Sequence, residues 1–374
     1  MQVLQRLTST GRALVVTLVV PVVALAISST SSSAPLDPSS GTITVHVVGD
    51  RDATGHGRAL SGVLVRAYSD AAHARPAGEC TTDAAGSCTI TALPPGTYRV
   101  APVTGPADGA FEPIVGVTTS FGGNVPYAET VTVGEGNPST RAFVLRRANP
   151  PFPARCGVRV TLVYDLSGSI SPGEADTMKS ASLEFVDALA GTPSAIAVTS
   201  FATDAPAAGN ADLPSTMVTT PAGVSAVKGA SAALSLPEGE ARYTNWDAAF
   251  RSIVGQSDIV VMFTDGNPTV HGVPAEFPPV VTGFEQIEAG VLSANAVKVS
   301  GARVLAVGVG NVDELSKRNL AAISGPEEGS DYVITTFAGV RTVFRDLAGA
   351  LCSHPETPVT TEVELLPIVL RFTG

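Results

Sequence analysis

Lysine is nearly missing from this chain of 374 residues: Lys179, Lys228, Lys298 and Lys317 are the only four. Arginine is scattered rather than massed, and the formal net charge is −11 with a pI near 4.9. No basic tract is available to neutralise a run of phosphates, which argues against nucleic acid or an anionic membrane surface as the main partner. Cysteine is scarce as well, with four residues in all. None of them has the Cys-x-x-Cys or Cys/His spacing of a zinc or redox centre. The Gly-x-Ser-x-Gly elbow, the phosphate-cradling Gly-x-x-x-x-Gly-Lys and the His-Glu-x-x-His motif are also absent. An enzyme is therefore placed last among the functional classes. A metal-dependent hydrolase using His271 with Ser169 is its only sketch, and nothing in the sequence orients that histidine.

What is present begins with an export pattern. Arg6 and Arg12 precede or flank a short apolar core, Ala13 to Val23, and Ala24-Leu25-Ala26 offers a small-x-small cleavage site. Residues 1–26 thus read as a signal peptide. The apolar run is too short to span a membrane comfortably, and Pro21 interrupts it. Residues 27–40 form a Ser/Pro-rich, flexible lead-in. The mature chain is expected to be secreted or held at the cell surface, and not to be an integral membrane protein. Export suggests disulfides for an even number of cysteines. Of three pairings, spacing favours Cys80–Cys88 and Cys156–Cys352. The latter would close a long loop, worth roughly 2–4 kcal/mol if unstrained.

From 41 to 147, short alternating runs are separated by turn residues: Thr42–Val48, Leu60–Tyr68, Cys88–Leu93, Thr97–Val103, Tyr127–Val133 and Arg141–Leu145. They predict an antiparallel β-sandwich. Thr82-Asp83-Ala84-Ala85-Gly86, followed by Leu93-Pro94-Pro95-Gly96-Thr97-Tyr98, resembles the turn and hairpin of prealbumin-like (Cna-B/SpaA-like) modules of bacterial surface proteins. Gly62 to Val65 fits the early strand of the same module. The resemblance implies a spacer or support, with carbohydrate or protein binding as the alternative. Many such modules carry an internal Lys–Asn isopeptide bond. With no lysine before Lys179, that bond is excluded within this region, and Cys80–Cys88 is the expected staple. His46, His56 and His73 share no motif and read as surface or strand residues. Residues 148–153, Ala-Asn-Pro-Pro-Phe-Pro, form a stiff linker that no regular element should cross.

From 154 to 353 the period changes. Apolar runs at Val158–Tyr164, Ala195–Phe201, Asp258–Phe263, Arg303–Val309 and Tyr332–Thr336 alternate with helical stripes. The stripes are Met178/Ala181/Phe185/Leu189, Trp246/Ala249/Phe250/Ile253, Ile287/Val291/Ala294 and Val340/Val343/Phe344/Leu347/Leu351. This alternation predicts a doubly wound α/β fold with a parallel sheet. Ser171-Pro172 reads as a helix cap followed by an N1 proline. Oxygen-bearing residues fall on loops beside three elements: Asp165, Ser167 and Ser169 after the first run, Thr244 before the Trp246 stripe, and Asp265 after the third run. Hard oxygen ligands on strand-end loops suit a small divalent cation.

Asp165-x-Ser167-x-Ser169, the distant Thr244 and Asp265-Gly266 resemble the von Willebrand factor A domain and its metal-ion-dependent adhesion site. The resemblance implies Mg²⁺ as cofactor, with Mn²⁺ or Ca²⁺ as substitutes. Ser167 and Ser169 would bind directly, Thr244 directly or through water, and Asp165 and Asp265 through waters and hydrogen bonds. It also implies a protein partner presenting a carboxylate to the open metal position. Tyr243 stands where glycine often precedes the threonine, and could narrow the site or add an aromatic contact. Trp246 reads as core rather than ligand contact. The loop from Asn267 to Gly283 reads either as a shaped element that sets partner choice or as a passive solvent loop. The tail 354–374 ends in a β-favouring run without an LPxTG motif, and either returns to the first domain or begins another module. The expected function is metal-dependent recognition by a secreted or surface protein, with a structural subunit of a surface or pilus-like assembly as the alternative.

Overall fold

The computed structural model describes residues 40–352, apart from 53–54, 70–74, 135–136, 154, 240–241, 254, 256, 278–279 and 311–315. The expected signal sequence, the lead-in up to residue 39, His73, Pro278, Pro279 and the tail 354–374 lie outside the described residues.

The first lobe consists of strands β1 (Gly41–Arg51), β2 (Gly57–Ala59), β3 (Leu64–Tyr68), β4 (Pro76–Thr81), β5 (Ser87–Leu93), β6 (Gly96–Thr104), β7 (Phe111–Glu112), β8 (Gly116–Thr119), β9 (Gly123–Pro126), β10 (Glu129–Val133), β11 (Ser139–Val144) and β12 (Arg146–Arg147). Alternation along β1 puts Ile43, Val45 and Val47 inside, as a period of two requires. One four-stranded sheet has β11 on one side of β1, with β5 and β2 sharing the other side. A second sheet runs β10-β6-β3-β4. Buried residues of both sheets belong to one apolar cluster. The expectation of a wholly antiparallel arrangement fails at one place: β1 and β11 pair in parallel. The many residues between them give the chain room to return in the same direction, which a tight hairpin cannot do. Cys80 on β4 is bonded to Cys88 on β5, so the staple links an edge of each sheet. Cys156 is also disulfide-bonded, while the side chain of Cys352 lies outside the described set.

The second lobe contains β13 (Arg159–Asp165), α1 (Pro172–Leu189), β14 (Ala195–Phe201), β15 (Leu213–Met217), α2 (Pro221–Ala233), α3 (Trp246–Arg251), β16 (Ile259–Thr264), α4 (Phe284–Val299), β17 (Arg303–Val309), α5 (Lys317–Ile323), β18 (Tyr332–Thr335) and α6 (Val340–Cys352). The sheet order is β15-β14-β13-β16-β17-β18, parallel except for the edge strand β15. Successive residues of each inner strand point to opposite faces. Val160, Leu162 and Tyr164 join an apolar cluster with α1, α2 and α6, while Val163 joins the cluster containing α3, α4 and α5. This is a doubly wound α/β sheet. α1 opens on a capping box, with Ser171 Oγ accepting from Glu174 N and the Glu174 carboxylate accepting from Ser171 N. Among the described residues no helix is long and apolar enough to cross a membrane.

The α3–α5 layer continues without a break into the core of the first lobe. Polar side chains fasten this seam. Asn295 on α4 donates from Nδ2 to Leu145 O at 2.8 Å and accepts at Oδ1 from Arg147 N at 2.7 Å. Residues 148–153 carry no regular element, as their prolines dictate, yet the segment is anchored. Asn149 exchanges two hydrogen bonds with the Val304 main chain, at 2.8 and 2.9 Å. Lys298 Nζ donates to Arg147 O at 2.9 Å from a fully buried position.

Burial pushes the Lys298 ammonium down to about 7, with Arg146 adding to the effect and Asp331 and Glu112 opposing it. The folded state therefore holds fewer protons than the unfolded state between that value and the ordinary lysine range near 10.4. Stability rises with pH across this window, and the cost of charging the amine is complete below it. Lys298→Met is expected to raise stability by an amount on the order of a few kcal/mol at pH 6. The advantage should shrink as the pH approaches 10, in urea denaturation followed by circular dichroism.

Candidate metal centre

β13 and β16 lie side by side at the point where the strand order reverses, and ligands of open α/β sheets bind outside the carboxyl ends there. Register places Tyr164 beside Phe263, so Asp165 and Thr264 follow as neighbours at the two strand ends. Thr264 Oγ1 donates to Asp165 Oδ2 at 2.7 Å, and Ser167 N donates to Asp165 Oδ1 at 2.8 Å. Both oxygens of a fully buried carboxylate are thus engaged. The second bond bends the chain after Asp165 and brings Ser167 Oγ to 3.3 Å from Ser169 Oγ. Ser169 Oγ donates in turn to Asp265 Oδ1 at 2.8 Å.

Thr244 comes from the third loop. Its N–H donates to Thr269 Oγ1 at 3.1 Å, and its carbonyl accepts from Thr269 N at 2.9 Å. Asn245 behind it is completely buried and caps α3 through Oδ1, while its Nδ2 donates to Thr203 O and Gly272 O. Gly168 N donates to Arg242 O at 2.8 Å, tying the Ser167–Ser169 loop to the Thr244 loop. Gly266 shows how closely the loops converge. A Cβ added there would stand 4.0 Å from Ser169 Oγ and 4.0 Å from Thr244 Oγ1.

Asp165, Ser167, Ser169, Thr244 and Asp265 are therefore brought together. Asp165, Ser167 and Thr244 form the buried side, Asp265 is half-buried and Ser169 is exposed, so the cradle opens outward. Burial pushes the Asp165 carboxyl up to about 7, and the neighbouring Asp265 adds to the rise against hydrogen bonds from Ser167 and Thr264. Burial raises Asp265 as well, with the Ser169 hydrogen bond opposing and Glu174 contributing. Two carboxyl groups that disfavour each other's charge in one pocket would be relieved by a cation. Hydroxyl and carboxylate oxygens have the chemistry of Mg²⁺ ligands rather than of soft-metal ligands. Among the described residues no group of three His, Cys, Asp or Glu is placed to hold a metal, so a cation here depends on the hydroxyls.

No protein-family profile matches the chain, and no curated protein matches it in sequence. Solved structures do show partial similarity. The pilus adhesin SpaC from Lactobacillus rhamnosus GG matches at 16% identity over 55% of this chain and 32% of that one, with a TM-score of 0.43. In a second, open conformation of SpaC the match covers 38% of that chain. The vWF domain of the type V pili tip protein Mfa5 from Porphyromonas gingivalis matches at 11% identity over 52% of this chain and 94% of that one, with a TM-score of 0.41. A von Willebrand factor type A structure from Catenulispora acidiphila matches at 16% identity, covering 55% and 44% of the two chains, with a TM-score of 0.35. At such scores the meaning of the site rests on its own geometry.

His271 faces Glu276 and Gln286 rather than Ser169. Trp246 is fully buried in the core. Thr264 and Thr269 escaped the sequence reading because a single hydroxyl beside a strand end is unremarkable until its partner is known. The adjacency in Phe263-Thr264-Asp265-Gly266 was the available signal for Thr264. Thr264→Val keeps the shape and removes the donor to Asp165 Oδ2. At pH 8 it is expected to cost about 1.5–3 kcal/mol, the range for a hydrogen bond to a charged group, in denaturant titration.

Proposed function

We propose that this is a secreted or cell-surface binding protein that recognises an acidic residue of a protein partner through Mg²⁺ held at the β13–β16 edge. The observation that carries the reading is the convergence of hydroxyls and carboxylates from three loops beside Gly266. Ser167 and Ser169 offer oxygen lone pairs to the cation, and Thr244 offers its own directly or through water. Asp265 accepts a hydrogen bond from Ser169 Oγ, which leaves that hydroxyl's lone pairs free for the cation. Asp165 holds the floor through Ser167 N and Thr264 Oγ1. Bound there, Mg²⁺ supplies a positive site with a position open to an anionic oxygen. The N-terminal export pattern and the disulfides agree with life in an oxidising compartment.

Isothermal titration with MgCl₂ tests the reading. Wild type should bind with an affinity reduced at least about tenfold, or 1.4 kcal/mol, in Ser169→Ala and in Asp265→Asn. Saturating Mg²⁺ should also raise the thermal midpoint of wild type, because a ligand of the folded state stabilises it. Absence of both heat and midpoint shift in wild type would sink the proposal.

A further inference from the structure

The β8–β9 hairpin belongs to the first lobe in sequence, yet it stands at the edge of the second lobe's sheet that carries the candidate site. Helices following parallel strands begin at that edge, and the hairpin is fastened near the first turns of two of them. On α5, Asn319 Oδ1 accepts from Thr118 N at 2.9 Å, its Nδ2 donates to Thr118 O at 2.8 Å, and the capping Ser316 donates to Thr118 Oγ1 at 2.6 Å. Just before α4, Ser120 N donates to Thr282 O at 2.8 Å and Thr282 N donates to Ser120 Oγ at 2.9 Å. The Asn319 amide also donates to Asn267 Oδ1 at 2.9 Å, two residues beyond Asp265. One side chain therefore links the hairpin to the loop that bears a proposed cation partner.

The turn of this fastened hairpin presents one large apolar side chain. Phe121, at its turn, is 88% exposed. In the loop that follows Asp265, Phe277 is 49% exposed and its ring lies 5.2 Å from that of Tyr243, the residue before Thr244. An aromatic side chain left outside the core on a backbone already held in place loses little freedom when a partner covers it. Aromatic residues so placed are over-represented among the contacts that dominate protein interfaces. The charge of the chain adds a reason for such contacts. At −11 it repels an acidic partner within the Debye length of about 8 Å, so recognition of a carboxylate gains from short-range apolar contact. A standard interface covers about 800 Å² on each partner, a patch roughly 30 Å across, which spans features separated by a few short hydrogen-bonded steps.

We infer that the binding face is composite: the first lobe contributes Phe121 through the β8–β9 hairpin, and the partner is a protein loop whose Asp or Glu is flanked by aliphatic or aromatic side chains. Phenylalanine offers no hydrogen-bonding group to sugar hydroxyls, which favours protein over glycan. This inference rests on the metal-dependent reading of the site, and its test keeps the two apart by titrating Mg²⁺ separately. A displayed library of random disulfide-closed nonapeptides is selected on the Mg²⁺-loaded full chain and eluted with EDTA. Eluted peptides should carry Asp or Glu beside an apolar residue. Synthetic copies should bind Phe121→Ser at least tenfold more weakly than wild type, while the variant's Mg²⁺ titration and thermal midpoint stay at wild-type values. Eluted peptides that are acidic without apolar neighbours, or that bind Phe121→Ser equally well, would overturn the inference. So would enrichment of no EDTA-eluted peptide by a chain that binds Mg²⁺, or EDTA-sensitive binding of acidic glycans alone on an array. A wild-type chain that takes up no Mg²⁺ defeats the function proposed above instead.

Discussion

A carboxyl group buried completely at the end of a central strand requires partners for both oxygens, and much of the sheet edge is arranged around that requirement. Asp165 obtains one partner from the strand beside it, Thr264, and one from its own loop, Ser167 N. The first ties β13 to β16 at their ends. The second turns the chain so that the next two hydroxyls face outward. Asp265 is left close enough to raise the cost of charging Asp165, so two carboxyl groups with disfavoured charge share one open cradle. The pocket is strained in charge but ordered in geometry.

The join between the lobes uses a different logic. Apolar burial there is continuous, but its alignment is fixed by primary amides that read main-chain groups on the other side. Asn295 reads β1, Leu145 and Arg147, Asn149 reads Val304, and Asn319 reads Thr118. An asparagine that satisfies both its donor and its acceptor accepts few alternative alignments, because a shift of a few ångströms would leave buried amide groups without partners. Asp247 extends this pattern with charge. It lies three residues beyond Thr244 and accepts from Arg51 of the first lobe, Ser293 of α4 and Gly272 N of the loop after β16.

The doubly wound half was legible in sequence because its strands are buried on both faces and its helices carry apolar stripes; each is a strong, local pattern. Even the cap at Ser171 could be read. The edge strand β15 was not, since Leu213-Pro-Ser-Thr-Met217 is exposed and contains a proline, and α2 was not, since Pro221–Ala233 is mostly alanine, glycine and serine. In the first lobe the alternating strands were visible, whereas β4, with proline and glycine in Pro76–Thr81, was hidden. The five oxygen-bearing positions could be picked out as a set because Asp165-x-Ser167-x-Ser169, Thr244 and Asp265-Gly266 stand in the order of the motif they resemble, each beside a strong element. Their supporting residues could not. Thr269, Asn245 and Asn319 act on groups 25 to 201 residues away, and only the folded chain reveals those pairings.

The parallel pairing of β1 with β11 has a mechanical consequence. The two strands hold the beginning and the end of the first lobe, so tension between Gly41 and Arg147 pulls them in opposite directions along their shared axis. Their ladder is then loaded in shear, with its hydrogen bonds resisting together, whereas a hairpin pulled at its open end would unzip one bond at a time. Resistance to such a pull is governed by the rate of unfolding rather than by equilibrium stability, and a sheared ladder slows that rate. A lobe built from modest strands can in this way serve as a stiff mount for whatever face it helps to present.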